Sequence, residues 1–506
     1  MNKKLTTSSI IAVLALTGCG TVVAQPAPGY TAPRVIGIGL AEHTPTLASN
    51  SGMGPTQIID QAIGRGLVNY RPSKNQIVPA LAQYWVVNQT GTVFAFFLRP
   101  HLRFSDGTPV TAKDVADFYK WEMAHDQAMP PLFTTIKSIV YKGNNEVVFM
   151  LNQPDGTFLS KLADSNLFIE KISLILKEGK KYGAYGEPIV GTGPYRLVSF
   201  GKDWIVTKVN PYYYGAKPTF RSVRYFNHSM AKDATLIKKS LLQFSPVNTP
   251  NGWGPQYTVT NGGGPGIITT TDSPSWFAIN MTNKTMANVK LREALALSVN
   301  KNEVVPHFVT PGFPSDFMVP SPIPGFGFEK QGGALYNLAK ARTLLKKAGY
   351  PNGKGLTLTI GINDFAPSFV ADCEIYARNW QTNLGIHVVF DVQHNQGAYY
   401  TNPQKLDMMA MGWGMDFNDA GDLLDAAVLP AGVVDVGYYD NTQVTALLNQ
   451  ANRTLNFNLH NQLYVKAQQI ALFKDWAYIP YVQYTIKSVF NKHFDFHANV
   501  NHSTVN

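Results

Sequence analysis

Histidine and cysteine, the side chains that most often bind metals or attack substrates, are sparse in this sequence. The 11 histidines are scattered, and His387 and His394 form the most suggestive pair. His387 lies in a strand-like run beside two valines, where a structural histidine is more common than a metal ligand. Cys373 falls on the apolar side of a predicted helix, which favours a packing role. The HExxH, P-loop, GxSxG and CxxC motifs are absent, so nothing favours an enzyme or a metal site.

The other cysteine, Cys19, ends an N-terminal pattern that is typical of exported proteins. Residues 2–4 read Asn-Lys-Lys, and residues 10–16 form an apolar run. This run is shorter than the ~20 residues needed to span a bilayer and is typical of a secretory signal. It leads into Leu16-Thr17-Gly18-Cys19, which resembles the lipobox of bacterial lipoproteins, where a peptidase cuts before a cysteine that carries a diacylglyceryl group. The alternative is an ordinary signal peptide cut after Ala24.

The predicted lipid anchor sets the expected location of the protein. Residues 1–18 would be the signal peptide, and residues 19–34, with a segment rich in Pro, Ala and Gly, a lipidated tether. No later stretch reaches spanning length. We therefore expect an extracytoplasmic lipoprotein held at the membrane by its N-terminal lipid, in a periplasm or on the outer face of the cell membrane. With Cys19 lipidated, no disulfide is expected for Cys373.

Composition and charge exclude several classes of protein. The chain has 506 residues, 45% of them hydrophobic, and exceeds the ~250–300 residues of a single core, so two or three domains are expected. The formal charge is +10, from 43 Lys and Arg against 33 Asp and Glu. The basic residues stand singly or in pairs such as Lys180-Lys181. A nucleic-acid site would cluster them with aromatics on one face, so no nucleic acid is expected as a partner.

Strand-like and helical patterns alternate from residue 35 onward and predict an α/β fold. Thr111 and Asp114 form a capping box that opens a helix through about Ala124. Further helices are predicted at about 368–384 and 459–474, whereas residues 245–271, full of Gly, Pro, Asn and Thr, are predicted to be a long loop. The strand-like runs are 35–40, 93–98, 146–151, 205–209, 356–360, 386–392 and 408–411.

Five longer blocks occur in the order typical of one protein family. Residues 98–115, LRPHLRFSDGTPVTAKDV, resemble the signature of the family 5 extracellular solute-binding proteins. These are the peptide- and nickel-binding receptors of ABC importers. The other blocks are PALA at 79–82, GTGPY at 191–195, VKLREAL at 289–295 and AKARTLLKKAGYP at 339–351. Together the blocks cover about residues 65–420.

The resemblance implies an α/β, two-lobed periplasmic-binding-protein fold, type II-like and of the large three-domain subclass, with a hinge and a cleft between the lobes. Lobe I would comprise residues 35–64, 188–271 and 480–506. The extra domain would comprise residues 65–187, and lobe II residues 272–479. Chain crossings near residues 272 and 480 would form the hinge. A ligand that contacts both lobes only in the closed state shifts the population toward closure.

The resemblance also implies where a ligand binds. Residues 412–419, GWGMDFND, resemble the "W.aDYpDp" segment of the family. In peptide-binding members the first Asp of that segment pairs with the α-ammonium group of the ligand, which by position is Asp416, with Trp413 and Gly414 beside it. The residues alone leave another interpretation open, in which Asp416 caps a helix starting near Ala420 and Trp413 is core. Tyr484, near the C-terminal crossing, could reach the cleft or belong to the core.

Two departures from the family pattern bear on the ligand. The Pro of the "DYpDp" pattern is replaced by Asn418, and no basic residue lies between Ile362 and Glu374, where dipeptide binders place an Arg for the ligand carboxylate. A longer or differently charged ligand is therefore favoured over a short peptide held at both ends.

The expected function is that of a monomeric, lipid-anchored receptor. It would capture oligopeptides by hinge closure and deliver them to an ABC permease, with no catalysis, cofactor or metal. Two alternatives stay open. The same fold could bind a nickel chelate, another metallophore, haem or a sugar, or the scaffold could be reused as an enzyme or chaperone.

Overall fold

The computed structural model of the protein describes most of the chain between residues 35 and 490. The predicted lipid anchor Cys19 lies outside the described residues, and so does His394. The described residues are 12–15, 21–26, 35–40, 43–48, 57–71, 76–125, 134–164, 167–218, 220–227, 236, 241–242, 244–247, 267–320, 323, 335–364, 366–393, 405–490 and 494–498.

Strands and helices alternate along the described residues, as the sequence predicts. The strands are β1 (Ala12–Ala15), β2 (Thr21–Pro26), β3 (Val35–Gly39), β4 (Val68–Arg71), β5 (Gln76–Pro79), β6 (Ala82–Val87), β7 (Val93–Leu98), β8 (Ile136–Lys142), β9 (Glu146–Leu151), β10 (Tyr195–Phe200), β11 (Trp204–Val209), β12 (Ser222–Phe226), β13 (Phe244–Val247), β14 (Ile267–Ile279), β15 (Gly312–Pro314), β16 (Thr357–Asn363), β17 (His387–Gln393), β18 (Met408–Gly412), β19 (Tyr478–Phe490) and β20 (Phe494–Ala498).

Within the described residues, no helix is both long and apolar enough to cross a membrane. The α-helices are α1 (Gln57–Ile63), α2 (Ala112–His125), α3 (Phe158–Leu162), α4 (Ile172–Glu178), α5 (Val289–Leu297), α6 (Lys301–Val304), α7 (Leu338–Lys347), α8 (Pro367–Leu384), α9 (Ala420–Ala427), α10 (Thr442–Asn452) and α11 (Phe457–Phe473).

One large sheet runs through both predicted lobes. Within the described residues it has 11 strands, in the order β10-β11-β12-β3-β13-β19-β14-β18-β16-β17, with β15 paired to β19. The pairs β3/β12 and β16/β17 are parallel. Parallel neighbours need a long crossover, and α8 supplies it between β16 and β17. This is the α/β architecture that the alternating patterns predict.

Two long strands, β14 and β19, join the two ends of this sheet. Each has 13 residues, a length of about 40 Å, and they pair antiparallel from Ile267 opposite Ser488 to Ala278 opposite Tyr478. Toward lobe I, β13 pairs with β19; toward lobe II, β18 pairs with β14. The register shifts between Thr270 and Ser273, and such irregularities bend a strand. The predicted boundaries near 272 and 480 thus fall inside continuous strands, and the division into lobes stays a prediction.

Buried residues divide into three apolar cores. One extends over residues 36–225, so it spans parts of the predicted lobe I and of the predicted extra domain, and it includes strands of the antiparallel sheet β6-β7-β9-β8. The other two lie within residues 276–482, and one of them includes Tyr481 and Val482, beyond the lobe boundary predicted near residue 480. Phe417 is the exception, because it comes from lobe II and packs into the first core. This side chain places the segment 412–419 against the extra domain.

The capping box predicted at the start of α2 is confirmed. The backbone N–H and hydroxyl of Thr111 donate to Oδ2 of Asp114 at 2.9 and 2.5 Å, and the backbone N–H of Asp114 donates to the Thr111 hydroxyl at 3.3 Å. These bonds satisfy donors of the first turn that no helical carbonyl reaches. The helix begins at Ala112 and ends at His125, within one residue of the prediction.

The loop predicted for residues 245–271 is wrong at both ends. Its first residues lie in β13, and β14 begins at Ile267. Both segments pair with β19. The strand includes the run Ile267-Ile268-Thr269-Thr270, whose β-branched side chains favour a pleated sheet. This run follows a Gly-rich stretch, and the prediction therefore included it in the loop. Residues 248–266 lie outside the described part of the chain.

Cys373 is buried within α8, as predicted, and we expect it to be unreactive in the folded protein. Its side chain is fully buried, its sulfur lies 3.4 Å from the Tyr481 hydroxyl, and burial raises the pKa of the thiol to about 12. Since the thiolate is the reactive form, a Cys19→Ser variant should show almost no labelling by a chromogenic disulfide reagent at pH 8. Full labelling is expected in denaturant. Rapid labelling of the folded variant would contradict this environment.

Candidate functional site

The segment with the predicted ligand residues leaves the sheet at the end of β18. Gly412 is the last strand residue and lies opposite Ser275 of β14. The backbone N–H of Trp413 still donates to the Pro274 carbonyl at 3.2 Å, after which the chain departs toward α9. Gly414 is exposed, and no atom would meet a side chain there. The loop that carries the predicted ligand residues therefore begins beside the region where the register of β14 shifts.

Asp422, in the first turn of α9, holds the loop in place. One of its oxygens, Oδ2, accepts the backbone N–H of Asp416 at 2.8 Å and the ring N–H of Trp413 at 3.1 Å. The carboxylate is buried, and its position near a helix N-terminus is favourable for negative charge. Asp416 and Trp413 are thus both held in place by the buried carboxylate of Asp422.

Asp416 does not cap the helix, so this part of the alternative interpretation is wrong. The cap of α9 is Asp419, whose Oδ1 accepts the backbone N–H of Gly421 at 2.9 Å. The carboxylate of Asp416 is exposed and has no hydrogen-bond or ion-pair partner among the described residues. The surrounding protein nevertheless desolvates it and raises its pKa to about 6. A carboxylate in this setting is available to a cationic ligand.

Trp413 combines the two roles that the sequence left open. Its ring is partly buried and packs against the core formed by α9, α10 and α11, as core residues do. It also lines a cavity next to Asp416. The indole ring therefore forms a fixed wall of the site.

The cavity lies between residues 134–161, in the predicted extra domain, and residues 413–452, in the predicted lobe II, and has a volume of about 480 Å³. Such a volume falls in the range of about 300–1,000 Å³ that is usual for small-molecule sites. The extra domain contributes the residues around the start of α3, and lobe II contributes the loop after β18, α9 and its successor loop. The lining residues are Thr134, Thr135, Gln153, Pro154, Asp155, Thr157, Lys161, Trp413, Asp416, Phe417, Gly421, Asp422, Asp425, Ala426, Ala431, Gly432, Val433 and Asn452.

On the extra-domain side, Asp155 is fully engaged within the protein. Its carboxylate binds Lys161 at 2.9 Å and accepts from the hydroxyls of Thr135 and Thr157 at 2.8 and 2.7 Å. Burial alone would raise the pKa of Asp155, but Lys161 and these hydrogen bonds outweigh burial and hold the pKa below its usual range. The Asp155–Lys161 pair therefore contributes no net charge to the cavity.

On the lobe II side, Asp425 is held differently. Its Oδ2 accepts the side-chain N–H of Asn452 at 2.7 Å, whereas its Oδ1 is shielded from solvent and has no hydrogen-bond partner among the described residues. Burial raises the pKa of Asp425 to about 7. This carboxyl group lines the cavity one helical turn beyond Asp422.

Behind the loop, Asp419 forms a buried ion pair with His460 of α11. The distance between His460 Nε2 and Asp419 Oδ2 is 2.9 Å, and the other ring nitrogen lies 2.9 Å from the Ala451 carbonyl. Because both ring nitrogens face acceptors, only the doubly protonated ring satisfies both. Burial is the largest single effect and disfavours this charged form, but the charge and hydrogen bond of Asp419, with smaller effects from the Ala451 carbonyl and Asp425, together outweigh burial and raise the pKa of His460 above its ordinary value.

Direct contacts also join the two segments that line the cavity. The backbone N–H of Gly156 donates to the Asn452 carbonyl at 2.6 Å, and a side chain at Gly156 would collide with the Thr454 carbonyl. The Phe417 ring lies under the ammonium group of Lys161 at 5.9 Å. The extra domain and lobe II thus meet through close backbone and ring contacts.

Tyr484 does not line this cavity. It lies on β19 opposite Ser273, and its hydroxyl donates to Asp372 Oδ2 at 3.2 Å. Asp372 is buried and also accepts the backbone N–H of Val309 at 2.5 Å. Tyr484 is therefore anchored to α8 near the register shift, and its role as a ligand residue stays a prediction.

Several cavity residues were not identified from the sequence. Asp155 and Lys161 belong to the extra domain, some 260 residues before the loop, and no local pattern links them to it. A signal did exist on α9, because Gly421, Asp422 and Asp425 have the spacing of one helical face. The described residues contain no group of three or more His, Cys, Asp or Glu side chains placed to hold a metal ion.

Comparison with known proteins identifies the family. Residues 76–434, more than half of the chain, match the family described as bacterial extracellular solute-binding proteins, family 5 Middle. The chain belongs to this family. The predicted α/β periplasmic-binding-protein fold of this family 5 solute-binding protein is confirmed as well.

Relatives of this family 5 protein differ in the ligands that their names give. The dipeptide-binding protein of Escherichia coli (strain K12) is 23% identical over 445 residues, which cover 80% of each chain. Heme-binding protein A of Haemophilus influenzae is 24% identical over 469 residues, 83% of each chain. Among solved structures, HbpA2 from Haemophilus parasuis matches with a TM-score of 0.79 at 19% identity, covering 90% of this chain and 96% of that chain. The last likeness concerns the fold alone.

Proposed function

We propose that this protein captures oligopeptides and that Asp416 binds their α-ammonium group. The observation that carries the proposal is the state of Asp416, an unpaired carboxylate on a loop fixed by Asp422, at the mouth of a cavity between two domains. Desolvation by the surrounding protein strengthens a charge-assisted bond to an amine.

The backbone near Asp416 can pair with a peptide as an added strand does. Trp413 and Asp416 use their backbone N–H groups within the protein, toward Pro274 and Asp422. Pairing with a ligand therefore falls to Gly414 and Met415, and the open space at Gly414 allows close approach. Backbone pairing is indifferent to side-chain identity, which suits a receptor for varied peptides.

The mechanism we propose is closure about the two long strands. Lobe I and lobe II are joined through β14 and β19, whose register shift lies a few residues from the loop that carries Asp416. A peptide that contacts both lobes when the cleft is shut stabilises the shut state and shifts the population toward it. An ABC permease would then accept the peptide, and the peptide leaves chemically unchanged.

Location and assembly complete the proposal. A lipid on Cys19 would hold the mature protein at the membrane surface, next to the permease. We propose that it acts as a monomer without a cofactor.

The function is tested by comparing peptides that differ only at the N-terminus. We expect a tetra- or pentapeptide with a free amine to bind saturably in a calorimeter, and its N-acetylated form at least about tenfold more weakly, because acetylation removes the charge that faces Asp416. Equal affinities would refute the assigned role of Asp416. A thermal shift with haem or a nickel chelate, combined with none for any peptide, would instead favour the alternative ligands.

A further inference from the structure

The cavity carries more negative charge than one α-ammonium group requires. Of the described residues that line it, Asp155, Asp416, Asp422 and Asp425 are acidic and Lys161 alone is basic. Lys161 and Asp155 neutralise each other, and Asp422 is occupied by holding the loop. Asp416 and Asp425 are left to face the cavity.

Asp425 has no structural task that explains a carboxyl group at its position. Asp419 caps α9, and Asp422 holds the loop. Asp425 accepts one hydrogen bond, from Asn452, which an asparagine could also accept. Its second oxygen is a buried acceptor without a partner among the described residues, and such atoms are rare because they are unfavourable. Because Asp425 lines the cavity, a ligand donor that reaches this oxygen would complete its hydrogen bonding.

The charges around Asp425 come from both domains. Lys161 and Asp155 face it from the extra domain, and Asp419 and Asp422 belong to its own lobe. Desolvation dominates and raises its pKa to about 7, so near neutral pH the carboxyl group exists in both forms. A cation that enters the cavity would favour the ionised form and release a proton.

We propose that Asp425 binds a second positive charge, so that this cavity selects peptides whose first residue is lysine or arginine. The inference rests on the proposed function, since the α-ammonium group is taken to lie at Asp416. Asp422 anchors the backbone of Asp416, and Asp425 follows Asp422 one helical turn later, so both carboxyl groups line the same cavity. A single basic residue at the peptide N-terminus carries two positive charges, its α-ammonium group and its side-chain cation, one for each carboxylate. The volume of about 480 Å³ leaves room for that side chain.

The test compares two tripeptides of nearly equal shape, Lys-Ala-Ala and norleucine-Ala-Ala, by calorimetry at pH 7. In the wild-type protein we expect the lysine peptide to bind at least about tenfold more tightly. In Asp425→Asn that preference should vanish, while the affinity for the norleucine peptide changes by less than about twofold. Asp440→Asn is the matched control, because Asp440 is an exposed carboxylate outside the cavity, and it should keep the wild-type preference.

A second measurement distinguishes charge recognition from a change in shape. Titrations in buffers of different ionisation enthalpy give the number of protons released, and the lysine peptide should release more than the norleucine peptide in wild type but not in Asp425→Asn. The variant should fold with an unchanged or higher melting temperature, because burial disfavours the charge that it removes.

The outcomes separate this inference from the proposed function. Equal affinities of the two peptides in wild type, or a preference retained in Asp425→Asn, would refute the second charge site while leaving peptide binding intact. Failure of both peptides to bind would refute both. Tight binding of lysine amide alone would show that the cavity takes a free dication rather than a peptide, and would refute the peptide form of the proposal.

Discussion

Asp416→Asn is expected to weaken peptide binding by roughly 30-fold or more while the apo protein keeps its melting temperature. Truncating one partner of a desolvated charge pair costs about 2–5 kcal/mol, and the α-ammonium group would lose its counter-charge in this variant. Stability should not fall, because the Asp416 carboxylate has no hydrogen-bond or ion-pair partner among the described residues and the surrounding protein already disfavours its charge by desolvation. Calorimetry with a free-amine pentapeptide and a thermal melt of the same sample measure both effects.

Two comparisons make this prediction specific. Asp440→Asn removes an exposed charge from the same lobe and should leave affinity unchanged. The N-acetylated peptide should bind wild type and Asp416→Asn about equally, since it has no ammonium group to lose. An undiminished affinity of Asp416→Asn for the free-amine peptide would exclude Asp416 from the site.

The same carboxylate makes binding depend on pH. Because the pKa of Asp416 is raised to about 6, affinity should fall as the pH is lowered through that value, approaching about tenfold per pH unit. Above about pH 8 the peptide amine itself deprotonates, so a maximum is expected between the two values. The acetylated peptide should lack this maximum.

Asp419→Ala is expected to destabilise the protein by about 3–5 kcal/mol. The substitution removes the cap of α9 and leaves His460 buried without its carboxylate partner. This is a large part of the roughly 5–15 kcal/mol that stabilises a typical domain. Chemical denaturation followed by tryptophan fluorescence measures the loss. Asp419→Asn keeps an acceptor for the Gly421 N–H, so this variant should lose less stability than Asp419→Ala. An equal loss of stability in both variants would contradict a separate contribution of the helix cap.

The effect of Asp419→Ala should decrease as the pH rises. The folded-state pKa of His460 is raised, so the contribution of the pair is fully present below the unfolded value of about 6.5. It is lost as the pH rises through the folded pKa. The difference between wild type and Asp419→Ala should therefore be larger at pH 6 than at pH 9. A difference that is constant over this range would mean that His460 is neutral in the folded state.

Much of the fold could be predicted from the sequence, because its signals are local. The capping box of Thr111 and Asp114 lies within four residues, and the run that forms β18 precedes a Gly-Trp-Gly turn. The start of α9 near Ala420 was predicted correctly, whereas its cap is Asp419 rather than Asp416. Asp416 and Asp419 both lie within a few residues of the start of the helix, so the sequence alone does not show which of them is the cap. The choice depends on the backbone path of the loop, which is fixed where Asp422 accepts the backbone N–H of Asp416.

The opposite wall of the site could not be predicted in the same way. Asp155 and Lys161 face the loop only because two domains pack together, and periodicity carries no information about such contacts. In the sequence, Phe417 is an aromatic residue in a loop, and nothing near it predicts that its ring is buried in a core formed by residues 36–225. The position of Tyr484 depends on the register of β14 and β19. An irregularity in β14 shifts this register, and no pattern in the sequence predicts it.

The burial of Phe417 connects the loop that carries Asp416 to the first apolar core. Its backbone neighbour is the carboxylate proposed to bind the ligand, while its ring packs into the core that lobe I shares with the extra domain. Separating the loop from the extra domain would expose that ring to water, at a cost of about 1.5–3 kcal/mol. In the proposed closure mechanism, displacement of the loop by a ligand would therefore also move residues 65–187, and the orientation of these residues would report whether the site is occupied.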